Sequence, residues 1–285
     1  MRSMPLALLL SSHVAASRVG AQVQAMALSQ FRIDPVEVPT VLFGRHPGWG
    51  APGGAAVAAE VFAGMLEGVE AQGLFGLTDL LLTGYFASAE QVRIAALTID
   101  KVRAASRNGA YAARPLVIVD PIMGDTAKGL YIRADVAEAI ARELLPLADV
   151  VAPNAWELER LTGVTVTDAA SAVEAARRLG KPTLVSSIDC GDEIGVVYAA
   201  PEGAWLASHR RLATAPSGTG DLLTALFAAR LLEPATAPER LSMAVGGVAL
   251  AVEAADMWDA PELPVVALGP RLKDEPAPVR IEQIA

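Results

Sequence analysis

Cysteine and histidine are scarce in this chain of 285 residues, and this scarcity limits the chemistry open to it. The single cysteine, Cys190, excludes an intramolecular disulfide and any metal site built from several thiolates. One thiol also fits a reducing compartment, so we expect a cytoplasmic protein. Of the three histidines, His13 and His46 are candidate bases, but neither belongs to a serine–aspartate pattern of the triad type. We therefore expect neither of them to be catalytic.

Long apolar runs and clusters of basic residues are also missing. No hydrophobic run approaches the roughly 20 residues that span a bilayer, which argues against a membrane protein. The apolar run at residues 5–10 is short and leads directly into an amphipathic pattern, so it predicts a buried first strand rather than a signal peptide. The net charge of −9 and the lack of a Lys/Arg cluster argue against a nucleic-acid groove, which needs positive charge to neutralise phosphates.

What the chain has in abundance is an alternation of short β-prone runs with longer helical patterns. A tail at residues 270–278 is the only part with a loosely structured pattern, and Asp168 is a candidate N-cap. The predicted strands are residues 7–11, 36–43, 80–83, 116–119, 150–151, 183–185, 194–198 and 204–207. The predicted helices are residues 19–31, 55–66, 88–105, 136–145, 154–161, 169–179, 218–232 and 241–255.

This alternation predicts an α/β fold with a doubly wound, mainly parallel sheet. No repeat or linker interrupts it, so residues 1–285 are predicted to form a single domain. In such folds ligands bind beyond the carboxyl ends of the strands, and we expect the functional site there. The candidate segments at those ends are residues 11–13, 44–50, 84–85, 120–125, 154–157, 186–187 and 218–221.

The stretch Ser217-Gly218-Thr219-Gly220-Asp221 opens a long apolar helical pattern. Glycines allow successive backbone N–H groups to converge, and the start of a helix adds positive partial charge, which suits a transferring phosphoryl group. A carboxylate directly after the last glycine can accept a proton from an attacking hydroxyl. The alternative is an ordinary helix start in which Thr219 or Asp221 acts as a cap.

Two further segments carry acidic side chains at predicted strand ends. Asp120 and Asp125 flank the turn after residues 116–119 and could orient Mg²⁺ beside a triphosphate, although they also suit a polar turn. Asn154 and Glu157 lie one helical turn apart and could face one metal–water cluster. The alternative for this pair is a capping box, with Asn154 at the N-cap and Glu157 reaching back.

A dinucleotide site is the main rival from another class, because residues 48–53 formally match G-x-G-x-x-G after a strand. Pro52 removes a donor N–H, however, and this fingerprint belongs after the first strand of its unit. No G-x-x-x-x-G-K-[ST] stretch exists, so a P-loop kinase is not supported.

In combination, these segments resemble the pyridoxal kinase branch of the ribokinase superfamily, in order over nearly the whole chain. The Gly-Thr-Gly-Asp stretch is highly specific for the superfamily. The D-P-x-M-G-D and P-N-x-x-E-L-E segments narrow the resemblance to pyridoxal and hydroxymethylpyrimidine kinases. The early Ser-His-Val, and Asp221 where pyrimidine kinases often carry Cys, favour the pyridoxal side. The matching segments are residues 11–14, 19–20, 46, 48–50, 83–85, 120–125, 129–131, 147–163 and 217–221.

The resemblance implies a ribokinase-like three-layer α/β/α sandwich and a homodimer. It also implies ATP with Mg²⁺, often a monovalent cation (K⁺ or Na⁺), and phosphate transfer to the 5′-hydroxyl of pyridoxal, pyridoxine or pyridoxamine. By the same resemblance, Asp221 is the base and the backbone N–H groups of Gly218, Thr219 and Gly220 form an anion hole. It further assigns the metal to Asp120, Asp125 and Glu157, the nucleotide to these three with Tyr131, Asn154, Ser186 and Ser187, and the vitamin pocket to Ser12, His46, Tyr85 and Asp221.

Several positions depart from the family pattern in the predicted substrate pocket. Where the family usually has Ser-Asn-His-Thr-Gly-Tyr, this chain has Arg45 and Pro47, which add a charge and remove a hydroxyl. The usual Gly-Asn after the first strand is replaced by Gly20-Ala21-Gln22, and Ala152 stands where a Thr usually precedes Pro-Asn. Two alternatives therefore remain beside a pyridoxal kinase. One is a kinase for another small alcohol, such as hydroxymethylpyrimidine or a sugar, and the other is a non-catalytic vitamer-binding protein.

Overall fold

A ten-stranded sheet runs through the computed structural model, which describes residues 4–213 and 215–284. Its strands in chain order are β1 Leu6–Val14, β2 Asp34–Phe43, β3 Gly54–Ala56, β4 Thr78–Thr83, β5 Leu116–Val119, β8 Val150–Val151, β9 Thr183–Cys190, β10 Glu193–Ala200, β11 Gly203–Arg210 and β12 Arg280–Gln283. Two short strands, β6 Gly124–Asp125 and β7 Gly129–Leu130, form a separate hairpin.

Helices connect most of the strands. They are α1 Gly20–Gln30, α2 Ala59–Ala71, α3 Ala89–Ala104, α4 Ala134–Ala139, α5 Ala155–Thr162, α6 Ala169–Leu179, α7 Thr219–Leu231, α8 Ala237–Met257, α9 Val265–Leu268 and α10 Arg271–Asp274. Among the described residues, no helix has both the length and the apolarity to cross a membrane.

The centre of the sheet is parallel and its margins are antiparallel. The strand order is β12-β11-β10-β9-β8-β5-β4-β1-β2-β3. Neighbours from β9 to β2 pair in parallel, whereas β10, β11 and β12 on one side and β3 on the other pair antiparallel. The predicted mainly parallel α/β sheet is thus confirmed.

The first strand shows how the sequence builds two cores at once. Alternate side chains of a strand point to opposite faces, so Ala7 and Leu9 enter one hydrophobic cluster while Leu8 and Leu10 enter the other. Helices α1, α7 and α8 cover the first face, and α2, α3 and α4 cover the second. All four side chains are fully buried, as the prediction of a buried first strand requires.

Two predicted segments differ in kind from the structure, and the helix predicted at residues 136–145 is α-helical only to residue 139 before a π-helical turn at Ile140–Leu144. Residues 55–56, predicted to begin a helix, instead pair with β2 as the edge strand β3, and α2 starts only at residue 59. The tail at residues 270–278 is more ordered than predicted, because Leu272 in α10 is fully buried against α8 and β12 then joins the sheet. Both errors have one cause: tertiary pairing overrode weak local signals.

A buried ion pair lies at the amino-terminal ends of the central strands β1 and β4. Asp79 is fully buried, and its Oδ1 accepts hydrogen bonds from the Arg107 guanidinium at 2.7 Å and from the Ala112 N–H at 2.8 Å. Its Oδ2 accepts from the Leu6 N–H at 3.1 Å. One carboxylate therefore ties the start of β1 to β4 and to the loop after α3.

We predict that Asp79→Ala lowers the free energy of unfolding by about 3–5 kcal/mol, because it leaves a largely buried guanidinium without its partner. Urea denaturation measures this change. Asp135→Ala is the matched control: it removes an exposed ion pair with Arg133 and is expected to cost no more than about 1 kcal/mol. Equal losses in the two variants would contradict the structural role of Asp79.

Candidate active site

A cavity of about 690 Å³ opens at the carboxyl ends of the central strands. This is the edge at which an open α/β sheet binds its ligands. Every site residue predicted from the sequence lines the cavity, although this placement assigns none of their roles. They are Ser12, His46, Tyr85, Asp120, Asp125, Tyr131, Asn154, Glu157, Ser186, Ser187, Gly218, Thr219, Gly220 and Asp221.

The start of α7 borders the cavity and depends on one glycine. Gly218 is the N-cap of α7 and has a φ of 93°, a left-handed conformation that favours glycine. A Cβ at this position would overlap the carbonyl oxygen of Arg18. The glycine therefore lets the first turn of α7 pack directly on the loop between β1 and α1. The N–H groups of that turn lack intrahelical partners, as at any helix start, and such a turn suits an anion.

Asp221 lies in the first turn of α7 and is almost completely buried. Its Oδ2 accepts a hydrogen bond from the Gly20 N–H at 2.9 Å, whereas its Oδ1 has no partner among the described residues. Burial raises the pKa of this carboxyl to about 6, and the Gly20 hydrogen bond opposes that rise. Asp221 therefore combines one fixed oxygen, one uncommitted oxygen and a pKa suited to accepting a proton near neutral pH.

The Gly20 donor is held in place by the loop between β1 and α1. Gly20 has a φ of 61°, and a Cβ there would overlap both the side chain and the backbone oxygen of Ser12. The Arg18 N–H donates to Glu262 Oε2 at 2.8 Å, which anchors the loop from the far end of the chain. Sequence reasoning gave Gly20 and Glu262 no role, since a contact between residues 201 positions apart leaves no local signal.

Asp120 follows β5 directly and is held by α7. The Thr224 hydroxyl donates to its Oδ2 at 3.0 Å. The pKa of Asp120 lies well above its usual range, first because of burial and then because Glu157 and Asp221 add negative charge nearby. Thr224 was missed in the sequence, but its spacing of three residues from Asp221 places both on one helix face, which was an available signal.

Asn154 and Glu157 form the capping box that the sequence left as an alternative. Asn154 Oδ1 accepts from the Glu157 N–H, and Glu157 Oε2 accepts from the Asn154 N–H, both at 2.9 Å. Glu157 Oε1 accepts from the N–H groups of Met123 at 2.8 Å and Gly124 at 3.3 Å. Burial raises the pKa of Glu157 to about 7. This carboxylate therefore joins α5 to the acidic turn after β5.

Asp125 shapes the turn of the β6–β7 hairpin. Its Oδ1 accepts from the N–H groups of Ala127 at 2.9 Å and Lys128 at 2.7 Å. In the described part of the chain, no three His, Cys, Asp or Glu side chains are gathered closely enough to hold a metal ion by themselves. The oxygen donors at this wall still suit Mg²⁺, which keeps several waters and is usually held by one or two carboxylates together with substrate phosphates.

Ser12, His46 and Tyr85 surround the end of the cavity next to β1 and β2. His46 Nδ1 accepts from the Gly48 N–H at 3.1 Å, and burial, followed by the charge of Lys128, lowers the pKa of His46. Burial raises the pKa of Tyr85, which keeps its phenol neutral. Apolar side chains that the sequence did not single out complete this end: Val14, Val19, Val41 and Phe43. Their arrangement suits a small, partly apolar ring.

Of the positions that depart from the family pattern, two line the cavity, Pro47 and Ala152. Arg45 is absent from its wall and donates instead to the Ala51 carbonyl at 2.9 Å. Gln22 lies within α1, where it accepts from the Arg18 guanidinium at 3.3 Å, and it is not part of the lining. The predicted effect of the Arg45 charge on the pocket is therefore wrong, because the side chain folds back on its own loop.

The opposite end of the cavity lies beside β9 and β10. Ser186 and Ser187 face it, and Ser187 has a φ of 64°, a strained conformation for a residue with a side chain. Aliphatic side chains form the rest of this end: Leu184, Ile194, Val196, Leu212, Leu223, Val248 and Val252. They come from strands and helices far apart in the chain, so the sequence did not reveal them. A polar mouth and apolar walls suit a nucleotide base.

The dinucleotide alternative fails on local structure. Residues 47–49 form a short 3-10 turn, and β3 follows the glycines. A dinucleotide fingerprint requires a helix to begin at its glycines, so that the N-terminus can bind the pyrophosphate.

Comparisons with known proteins agree with this geometry. The family model described as phosphomethylpyrimidine kinase matches residues 86–264. A pyridoxine/pyridoxal/pyridoxamine kinase from Bordetella avium is 36% identical over 233 residues, 79% of this chain and 77% of that protein. A pyridoxal kinase from Rubrobacter xylanophilus is 31% identical over 285 residues, 97% and 96% of the two chains. The solved structure of pyridoxal kinase from Leishmania donovani in complex with ADP and pyridoxamine has a TM-score of 0.90 at 26% identity, with 98% of this chain and 99% of that chain covered.

The fold and the cavity thus define an enzyme of the ribokinase superfamily, the class of small-molecule kinases that the sequence resembles. Within this class the family model covers more than half of the chain, and two relatives exceed 30% identity over most of it. The chain belongs to the pyridoxal kinase family.

The two glycines of the Gly-Thr-Gly stretch give a matched prediction. Gly218→Ala is expected to lower the melting temperature by several degrees, because its Cβ overlaps the Arg18 carbonyl and its φ is positive. Gly220→Ala is expected to cause no loss, because open space surrounds that position within a helical turn. Differential scanning calorimetry measures both changes. A Gly220→Ala variant as unstable as Gly218→Ala would contradict the packing of α7 on the β1–α1 loop.

Proposed function

We propose that the chain transfers the γ-phosphoryl group of ATP to the 5′-hydroxyl of a vitamin B6 vitamer, namely pyridoxal, pyridoxine or pyridoxamine. The observation that carries this proposal is the Asp221 carboxylate, buried at the start of a glycine-led helix and tethered through one oxygen only. The named activities of the relatives support the substrate class, as do the ADP and pyridoxamine bound to the Leishmania donovani enzyme.

In the proposed mechanism, Asp221 Oδ1 accepts the proton of the 5′-hydroxyl group. At the same time the 5′-oxygen of the vitamer forms a bond to the γ-phosphorus. The bond between the γ-phosphorus and the bridging oxygen of ADP breaks in the same displacement. The N–H groups of Gly218, Thr219 and Gly220 stabilise the negative charge on the transferring group. Ser12, His46 and Tyr85 orient the vitamer, and Ser186, Ser187, Asn154 and Tyr131 contact the nucleotide.

A magnesium ion would be held near Asp120, Asp125 and Glu157, mostly through waters and phosphate oxygens. It would neutralise phosphate charge during transfer. Glu157 already accepts three backbone hydrogen bonds, so we assign it to positioning the turn after β5 and to contacts through water. The proposal also includes a monovalent cation, a homodimer and a cytoplasmic location. These three features rest on the resemblance to the family.

Phosphorylation of another small alcohol is the second candidate, and Pro47 is the observation that favours it. This ring replaces a hydroxyl at the wall of the substrate end, so it removes one hydrogen bond that could select the vitamer. The first experiment is therefore an ATP-consumption screen across the three vitamers, hydroxymethylpyrimidine and simple sugars. Turnover of vitamers alone supports the first candidate. Binding of vitamers without any turnover would instead support a non-catalytic vitamer-binding protein.

Replacing the base gives the sharpest test of the mechanism. Asp221→Asn is expected to lower kcat by about 10²–10⁴-fold, because general-base catalysis contributes about that much and the amide cannot accept the proton. Formation of pyridoxal phosphate from pyridoxal and Mg-ATP, followed by absorbance, measures the rate. Unchanged binding of ADP by calorimetry controls for the fold. Activity close to that of the wild type would remove Asp221 from its role.

The pH dependence of kcat/KM provides an independent check. Burial raises the pKa of Asp221 from 3.8 to about 6, so activity is expected to fall as the pH drops through about 6, where the carboxylate becomes protonated. Glu157→Gln is the control, since it is expected to keep the acid limb at the same pH even if its rate changes. An acid limb near pH 4, or one that moves in the Glu157 variant, would show that Asp221 is not the titrating base.

A further inference from the structure

The β6–β7 hairpin presents a lysine beside the start of α7. Lys128 precedes β7, and its N–H is held at 2.7 Å by Asp125 Oδ1. Gly124 packs tightly on the Gly129 carbonyl oxygen and on the ring of Trp156, which leaves no space for a side chain at the base of the hairpin. The hairpin is therefore short and tightly packed, and it fixes the backbone position of Lys128.

Lys128 borders two connected spaces. It lines the main cavity, and it also lines an adjoining cavity of about 380 Å³. His46, Ala215 and Ser217 belong to both walls, which places Lys128 next to the residues that lead into the helix α7. Its charge is close enough to His46 to lower the pKa of that imidazole.

The ammonium of Lys128 has no ion-pair or hydrogen-bond partner among the described residues. The other three lysines are committed: Lys101 to Glu70, Lys273 to Glu233, and Lys181 to the carbonyl oxygens of residues 146 and 148. In the cavity wall, Arg211 is committed as well, to Asp189 at 2.7 Å. Lys128 is thus an uncommitted cation in a wall that carries four carboxylates: Asp120, Asp125, Glu157 and Asp221.

A phosphoryl group in transfer spreads negative charge over its equatorial oxygens, and positioned cations stabilise this charge. We propose that Lys128 is a catalytic residue whose ammonium contacts the transferring γ-phosphoryl from the β6–β7 hairpin. This inference rests on the proposed function. The ammonium keeps its protons throughout: the new bond joins the substrate oxygen to phosphorus, the bond to ADP breaks, and Asp221 takes the proton. Asp125 is a positioning residue in this scheme, because its side chain fixes the backbone of Lys128.

The test compares Lys128→Met with Lys101→Met, because both lysines are exposed but only Lys128 belongs to the cavity wall. Lys128→Met is expected to lower kcat by about 100-fold or more with the KM for the vitamer changed little, in line with the loss of one preorganised donor. Lys128→Arg is expected to recover part of the rate, and Lys101→Met to keep all of it. A kcat for Lys128→Met within about threefold of the wild type would overturn the proposal.

Binding of ADP and of adenylyl imidodiphosphate, measured by calorimetry, separates this inference from the proposed function. The wild type is expected to prefer the analogue, which carries a γ-phosphoryl group, and Lys128→Met to lose that preference while its ADP affinity is unchanged. This result supports Lys128 even if no vitamer is turned over. Equal preference in both proteins, or an equal loss of affinity for both nucleotides, would contradict a specific contact with the γ-phosphoryl.

Discussion

A single hydrogen bond, from the Gly20 N–H to Asp221 Oδ2, sets the geometry on which the site depends. It fixes the carboxylate of Asp221, the proposed base, against the loop between β1 and α1. The packing of Gly218 on Arg18 and the Arg18 N–H bond to Glu262 hold the same loop. Two glycines are required because backbone meets backbone here, and a side chain at either position would separate the base from its donor.

The buried carboxylates form a second constraint, one of charge. Burial raises the pKa of Asp120, Glu157 and Asp221, and the charges of Glu157 and Asp221 raise the pKa of Asp120 further. Backbone N–H groups compensate Glu157, and a threonine hydroxyl compensates Asp120. Such a wall repels a bare triphosphate, so the binding of ATP requires cations in the same space.

Sequence reasoning predicted the sheet and the strand ends well, because period-two burial and glycine-led helix starts are local signals. It placed Asp120 and Asp221 correctly at one edge, since parallel strands share that edge. It did not find Gly20 as a donor to Asp221, Thr224 as a donor to Asp120, or the aliphatic end of the cavity beside β9 and β10, because these depend on contacts between distant segments. The Arg45 side chain was misjudged for a similar reason: a bond to Ala51 decides its direction.

The hydrogen bond from the Arg18 N–H to Glu262 joins an early segment of the chain to a late one. Strand β1 pairs with β2 and β4 early in the chain, so much of the sheet is able to collapse before residues 218–262 are synthesised. Asp221, the proposed proton acceptor, and Glu262, which anchors the loop that binds it, both belong to that later segment. The nascent chain therefore contains every residue of the hydrophobic cluster under α2, α3 and α4 well before it contains Asp221. Contacts of such large sequence separation are slow to form, and they couple the assembly of the site to completion of about the last quarter of the chain.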